Sequence, residues 1–155
     1  MKERKPIRLS KWDYSSQYAY HVVFCTKRKE NLLSRIESNG YETRVILSDI
    51  GQNLDSVIKL VLIENPFLDI TEYAIMPNHV HLLIKLNSDE MNINNIVGMI
   101  KARTTKLSRR ENPGIELWQR GFYDHIIRNE YDWLRTLKYI ADNPAKWCED
   151  EYFQC

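Results

Sequence analysis

The fold of this chain is decided by residues 73–86, which read YAIMPNHVHLLIKL. An apolar run meets a Pro-Asn turn and resumes as a strand, in which successive side chains point to opposite faces. One face of this strand carries His79 and His81, and the other face is apolar throughout. The strand is therefore predicted to pack through one side and to present two neighbouring imidazoles on the other.

Two imidazoles on one face suit a divalent metal ion, because each neutral ring offers a nitrogen lone pair. The same spacing also arises by chance in strands that bind nothing. The pair alone leaves a metal site and a structural histidine pair both open. A third ligand and a reactive group elsewhere in the chain would favour the metal site.

The composition indicates one soluble globular domain that spans residues 1–155. Apolar residues make up 43% of the chain and charged residues 28%, which is unlike a disordered protein. No apolar run approaches the roughly 20 residues of a membrane span, and the N-terminus lacks the apolar segment of a secretory signal. The three cysteines, Cys25, Cys148 and Cys155, show no metal-binding spacing. We expect a cytoplasmic protein with no membrane partner.

The net charge of +1 conceals a segregation of basic residues. Residues 1–30 carry eight basic and three acidic side chains, and residues 101–110 carry five basic side chains and no acidic one. Residues 1–12 are interpreted as a basic arm. Such concentrated basic segments are compatible with binding a polyanion, although taken alone a solvated surface is the simpler explanation.

Apolar periodicity and turn residues predict a strand, helix, strand, strand, helix, strand order with one more helix at the end. The predicted strands cover 18–26, 67–76, 79–86 and 124–128, and the predicted helices run from about 42 to 63, from 88 to about 107 and from 130 to 143. This order matches an α+β fold of the ferredoxin-like split βαβ plan, an antiparallel sheet with helices on one face and a C-terminal helix. The fold alone implies no function.

The last predicted helix carries a tyrosine away from its apolar stripe. That stripe consists of Trp133, Leu134, Leu137, Ile140 and Ala141. On a helical wheel Tyr139 and Asn143 lie off the stripe and, four residues apart, next to each other. The Tyr139 hydroxyl is therefore predicted to face solvent or a site, with an amide one turn away.

Three motifs, taken in order, resemble the single-tyrosine HUH transposases over about residues 18–147. They are Pro77-Asn78-His79-Val80-His81, then Leu117-Trp118-Gln119-Arg120-Gly121-Phe122, then Tyr139-Ile140 with Asn143-Pro144. The branch most resembled is the REP-associated tyrosine transposases, which act on bacterial palindromic repeats.

This resemblance implies a set of roles. His79 and His81 would be metal ligands, Asn143 would be the third ligand where the family has Gln or Asn, and Tyr139 would be the nucleophile. The cofactor would be Mg²⁺ or Mn²⁺, and the product a 5′-phosphotyrosine with a free 3′-hydroxyl. The partner would be single-stranded DNA that forms a hairpin or palindromic repeat. Many members carry a longer C-terminal extension than the sixteen residues after Tyr139, so hairpin recognition and a homodimer stay open.

The basic and aromatic segments are the predicted DNA contacts. Basic side chains could follow the phosphates, and Trp118 could stack on bases together with Phe122. For these two aromatic residues, core packing is an equally good interpretation. The predicted contacts are Lys27, Arg28, Lys29, Lys101, Arg103, Lys106, Arg109, Arg110, Trp118 and Arg120.

Two other functions compete with a DNA strand-transferase. One is a protein of the same fold that binds single-stranded or hairpin DNA without productive transposition. The other is an unrelated metal hydrolase in which Tyr139 is structural. The hydrolase lacks an evident carboxylate base, because Glu72 and Asp124 are candidates only through their nearness to predicted strands. An assay for a covalent DNA–protein adduct separates the alternatives.

Overall fold

The computed structural model describes residues 18–149, so the predicted basic arm at residues 1–12 lies outside the described residues. The strands are β1 (Tyr18–Cys25), β2 (Ser34–Ser38), β3 (Thr43–Leu47), β4 (Leu68–Ile75), β5 (His79–Leu86) and β6 (Tyr123–Ile126). The helices are α1 (Asp49–Glu64), α2 (Ile93–Ser108) and α3 (Glu130–Asp142), with short 3-10 turns at Lys27–Lys29 and Pro144–Glu149. None of the described helices is long and apolar enough to cross a membrane.

The main sheet is antiparallel and has the strand order β4-β5-β1-β6. The predicted β4–β5 hairpin is confirmed, and the Met76 amide donates to the His79 carbonyl where the turn closes. Strand β1 lies between β5 and β6, with Val23 opposite His81 and His21 opposite His125. The central position of β1 therefore brings histidines from three strands towards one another.

Helices cover both faces of this sheet. On one face α1 and α2 pack over Val22, Phe24 and Leu82 and enclose the larger apolar core. On the other face α3 packs over a smaller cluster that includes Leu83 and Ile140. The predicted α+β plan is confirmed, with two helices on one face of an antiparallel sheet and the C-terminal, tyrosine-bearing helix on the other.

The prediction that the first helix begins near residue 42 is wrong. Residues 43–47 form β3, which pairs with β2 in a separate two-stranded sheet. Helix α1 begins later, where the Ser48 side chain accepts a hydrogen bond from the Gly51 amide. Glycine is required at position 51 for packing, because a Cβ there would collide with the Leu33 carbonyl oxygen. The predicted start of the second helix at residue 88 is also early, since Asn92 caps α2.

The apolar stripe predicted for α3 is shifted from the face that the structure buries. Leu134 is 55% exposed, whereas Asp132, Thr136 and Ile140 are buried. Sequence periodicity missed this face because two of its three buried members are polar. Tyr139 lies at the edge of the buried face, so its ring is directed over the sheet and not away from it.

Candidate metal and nucleophile site

All four histidines of the chain lie on the sheet face that α3 covers. His79 and His81 are in β5, His21 is in β1 and His125 is in β6. The β5 pair is fully buried, while His125 reaches α3 through a contact with Asp132. The face predicted to present two imidazoles therefore carries a row of four.

The two β5 histidines are oriented by hydrogen bonds at their Nδ1 atoms. His79 Nδ1 lies 2.7 Å from the Asn78 side-chain oxygen, and the Asn78 amide nitrogen donates to the Lys29 carbonyl. His81 Nδ1 lies 2.9 Å from His21 Nε2. When both Nδ1 atoms carry hydrogen, both Nε2 atoms offer lone pairs. The two Nε2 atoms are 3.0 Å apart, a hydrogen-bonding distance at which one ring carries the hydrogen when no metal is bound. If neither Nε2 carries hydrogen, their two lone pairs point to one position.

His21 is held neutral by its surroundings. Burial, followed by the nearby His81 and His125 rings, lowers the pKa of His21 from 6.5 to about 3. A neutral imidazole keeps one acceptor nitrogen. The hydrogen-bond partner of His21 is His81.

Tyr139 stands over this row. Its ring centroid is 5.5 Å from that of His81 and 5.9 Å from that of His21, with both pairs in edge-on geometry. Tyr139 is 43% exposed, although it touches two buried or half-buried rings. The nucleophile predicted from the sequence is thus beside one predicted metal ligand and within reach of a substrate from solvent.

Asn143 ends α3 with an unsatisfied oxygen. Its side chain is buried, and among the described residues its Oδ1 is the one buried side-chain nitrogen or oxygen without a hydrogen-bond partner. Leaving such an acceptor unpaired costs about 1–3 kcal/mol. Four residues earlier Tyr139 contacts His81, and four residues later the Trp147 ring stacks on His79 at 6.0 Å. Asn143 therefore lies midway in sequence between two residues whose rings contact His81 and His79, and its role as a third ligand stays a prediction.

These donors fit an octahedral divalent ion. Two adjacent ligands at about 2.1 Å from such an ion lie about 3.0 Å apart, which matches the separation of the two Nε2 atoms. The unpaired Asn143 oxygen supplies a third donor. The described part of the chain holds no cluster of three or more His, Cys, Asp or Glu side chains arranged for a metal. The candidate donors are thus two imidazoles and an amide oxygen.

Comparison with known proteins identifies the family. Residues 14–143 match the family described as "Transposase IS200 like". The chain belongs to the IS200-like transposase family. Transposases cut and rejoin DNA strands, so the family membership makes this chain a DNA-processing enzyme.

Individual relatives support the same family. An uncharacterised protein of Haemophilus influenzae is 29% identical over 97% of this chain and 93% of its own length. The REP-associated tyrosine transposase of Escherichia coli K12 is 30% identical over 65% of this chain and 58% of its own length. A solved structure of a REP-associated tyrosine transposase bound to a REP hairpin has a TM-score of 0.68 and 21% identity, and the match covers 95% of this chain and 74% of that one. The fold of this chain is that of the REP-associated tyrosine transposases.

The predicted basic contacts of this transposase fall in two places. Lys27, Arg28 and Lys29 form a tight turn beside Asn78, with left-handed backbone at Arg28 and Lys29, so they border the histidine site. Lys27 is paired with Glu116 at 2.9 Å. The cluster at residues 101–110 lies on α2, on the other side of the sheet.

Three members of the α2 cluster have contacts within the protein, and one of them is Arg109, which donates to the Ile115 carbonyl. Lys101 donates to the Gln119 and Gly121 carbonyls, and burial lowers its pKa. Arg103 is paired with Glu64 at 2.6 Å. The exposed basic residues of this region are Lys106, Arg109, Arg110 and Arg120. The structure therefore does not bring the α2 cluster to the histidines.

Trp118 is placed in the core and not at the histidine face. Its ring contacts Phe24 edge-on at 5.0 Å, and its Nε1–H donates to the Lys101 carbonyl. Phe122 packs against the same core. This placement favours the packing interpretation for both aromatic residues, and base stacking on them stays a prediction.

The sequence reasoning missed His125 and Asp132. His125 Nε2 lies 2.9 Å from the buried Asp132 carboxylate, which also accepts from the Arg128 amide and from Arg135. Burial acts to raise the pKa of Asp132, but these hydrogen bonds hold it below the usual value. An acidic residue on the inner face of an apolar-looking helix is the only signal that the sequence offered.

The two carboxylates of the hydrolase alternative lie on different faces of the sheet. Asp124 alternates with His125 along β6 and so points away from the histidines. Glu72 is opposite Leu83 in the β4–β5 register, which places it on the histidine face, and its carboxylate accepts a hydrogen bond from the Tyr73 amide. The geometry therefore excludes Asp124 as the base of a hydrolase and leaves Glu72 as the candidate of that alternative.

Proposed function

We propose that this chain is a metal-dependent single-stranded DNA strand-transferase that uses Tyr139 as its nucleophile. One observation carries the proposal: the Tyr139 ring lies against His81, and one turn later the buried Asn143 oxygen has no partner. The proposed nucleophile therefore lies beside one of the two histidines, and the next turn of the same helix carries the unpaired oxygen. The hairpin-bound relative of the same fold supports hairpin or palindromic-repeat DNA as the substrate.

The proposed reaction is a reversible transesterification. The Tyr139 oxygen attacks the phosphorus of a phosphodiester, the bond to the 3′ oxygen breaks, and the 3′ oxygen leaves as a hydroxyl with the proton that the phenol gives up. A 5′-phosphotyrosine remains, and a second 3′-hydroxyl can attack it and release Tyr139. A phenol with a pKa near 10 is a moderate nucleophile and an adequate leaving group, which suits both directions.

The metal in this proposal is Mg²⁺ or Mn²⁺, held by His79, His81 and Asn143. When bound, such an ion polarises the phosphate oxygens and offsets the charge that develops on them. The protein fixes the ligands on a rigid strand, orients each ring through its Nδ1 atom and covers His79 with Trp147.

The open side of the site lies between α3 and β6. Tyr131, Arg135 and Tyr139 follow one another at four-residue steps on α3, with the Arg135 guanidinium over the Tyr131 ring at 5.9 Å. A cavity of about 200 Å³ beside them is lined by His125, Arg128 and Asp132 as well. Exposed aromatic rings with arginines suit a single strand, because bases stack on the rings while guanidinium groups contact phosphates. In this proposal the strand reaches Tyr139 along that side.

The test is a denaturing gel of a labelled single-stranded hairpin from the gene's flanking palindromes, incubated with protein and Mg²⁺ or Mn²⁺. Wild type should form a covalent adduct, and Tyr139→Phe should form none while it still folds and binds the hairpin. Tyr131→Phe is the matched control, since Tyr131 is a 74% exposed tyrosine on the same helix. It should form the adduct normally.

Each contrary outcome has a distinct meaning. An adduct that persists in Tyr139→Phe would refute the assignment of the nucleophile. Metal-dependent cleavage without any adduct would favour a hydrolase. Hairpin binding by wild type without cleavage would favour the binding protein.

A further inference from the structure

We propose that His21 is a positioning residue that fixes His81 in its metal-binding orientation. The inference rests on the proposed function, because it assigns a partner to one of the proposed ligands. His21 stands in a different strand and 60 residues away in sequence from His81. Neither the family match nor the motifs that carry the resemblance assign it a role.

The contact between the two rings is specific. His21 Nε2 lies 2.9 Å from His81 Nδ1, and the rings stack with centroids 5.2 Å apart and planes 25° apart. In the sheet register His21 faces Leu83 and His81 faces Val23, so the two histidines are diagonal neighbours on adjacent strands. Diagonal pairs are within reach of long side chains only when the rings turn towards each other.

The chemistry of imidazole makes the direction of this hydrogen bond matter. A neutral ring has one N–H and one acceptor nitrogen. If His81 Nδ1 donates to His21, then His81 Nε2 carries the lone pair that converges with that of His79. If His21 Nε2 donated instead, His81 Nε2 would carry the hydrogen and would turn an N–H towards the metal position. The acceptor state of His21 therefore decides whether His81 can serve as a ligand.

The two proposed ligands, His79 and His81, each have a hydrogen-bond partner at Nδ1. Asn78 accepts from His79 Nδ1 as His21 accepts from His81 Nδ1. Replacing the hydrogen-bond partner of a metal-bound histidine commonly costs about 10- to 100-fold in metal affinity. Because the His21 ring also touches Tyr139, His21 joins the ligand strand to the nucleophile helix.

The experiment measures metal binding without DNA. The full chain, as wild type and as His21→Leu, is titrated with Mn²⁺ by calorimetry, and the fold of each protein is checked by NMR before metal is added. His21→Leu should weaken Mn²⁺ binding by about 10- to 100-fold.

Two further variants distinguish a positioning role of His21 from a purely structural role. His21→Gln restores an acceptor oxygen, so it should recover most of the Mn²⁺ affinity. Asn53→Ala is the control, because the Asn53 amide contacts Ser108 between α1 and α2, on the other side of the sheet. It should stay within about twofold of wild type, well inside the effect expected at His21.

The proposal is overturned if His21→Leu binds Mn²⁺ like wild type, or if wild type binds no Mn²⁺. It is also overturned if His21→Gln, shown to be folded by its NMR spectrum, is as defective as His21→Leu. If wild type forms no DNA adduct while Mn²⁺ binding still depends on His21, the positioning role stands and strand transfer fails.

Discussion

Replacing Asn143 by alanine tests whether its unpaired oxygen is a metal ligand. Without metal, the substitution removes a buried acceptor whose unmet hydrogen bond costs about 1–3 kcal/mol. The substitution also removes the packing contacts of the amide group, and this loss lowers the free energy of unfolding. We therefore expect the free energy of unfolding of the metal-free protein to change by less than about 1 kcal/mol.

With metal the two proteins should differ. A ligand that binds only the folded state at 100 times its Kd stabilises that state by about 2.7 kcal/mol. If Asn143→Ala weakens the affinity tenfold, the same metal concentration stabilises the variant by only about 1.4 kcal/mol. The expected signature is therefore a loss of about 1.3 kcal/mol that appears only when Mn²⁺ is present.

The assay is urea unfolding with and without Mn²⁺, followed by tryptophan fluorescence. Asn53→Ala is the matched control, since the Asn53 amide contacts Ser108 between α1 and α2, on the other side of the sheet. Its effect should be the same with and without Mn²⁺. If Asn143→Ala gains as much from Mn²⁺ as wild type does, Asn143 is not a ligand and its unpaired oxygen needs another explanation.

Two other substitutions test the proposed chemistry and the DNA surface. The double variant His79→Ala/His81→Ala should lose the covalent adduct entirely. It should still unfold cooperatively, because the larger core lies on the other face of the sheet. Normal cleavage by this variant would place the metal elsewhere. Neutralising the four basic residues Arg103, Lys106, Arg109 and Arg110 should weaken DNA binding and flatten its salt dependence, by about 0.7 in log–log slope for each phosphate that the variant no longer neutralises. An unchanged slope would make the α2 cluster a solvated surface and leave the arginines beside α3 as the phosphate-binding groups.

Local sequence signals were sufficient to predict the strand that carries the two proposed metal ligands, His79 and His81. The predicted strand 79–86 has the same bounds as β5, because strict alternation follows a Pro-Asn turn that permits a tight hairpin. Alternation also predicted correctly that His79 and His81 share a face. The tyrosine and the amide at the end of α3 could be paired because a four-residue step on a helix makes two side chains neighbours.

Features that depend on distant partners were not predictable in the same way. The apolar residues of 43–47 fit either a helix or a strand, and the β2–β3 pairing that decides between them is a tertiary contact. The buried face of α3 contains Asp132, whose burial is compensated by His125 from β6. The partner of His21 follows from the register of β1 against β5, which no local pattern contains.

The donor set has a consequence for how metal and DNA would bind together. Two neutral imidazoles and an amide oxygen bring no negative charge, and no carboxylate of the described residues joins them in a metal-binding cluster. A divalent ion at such a site keeps its full charge until an anion approaches, and in the proposed reaction that anion is the phosphodiester itself. The ion should therefore bind more tightly when DNA is present, and by linkage the DNA should bind more tightly by the same factor when the ion is present. A site without carboxylates thus couples metal retention to the presence of substrate, which places the metal charge where the phosphate oxygens need it.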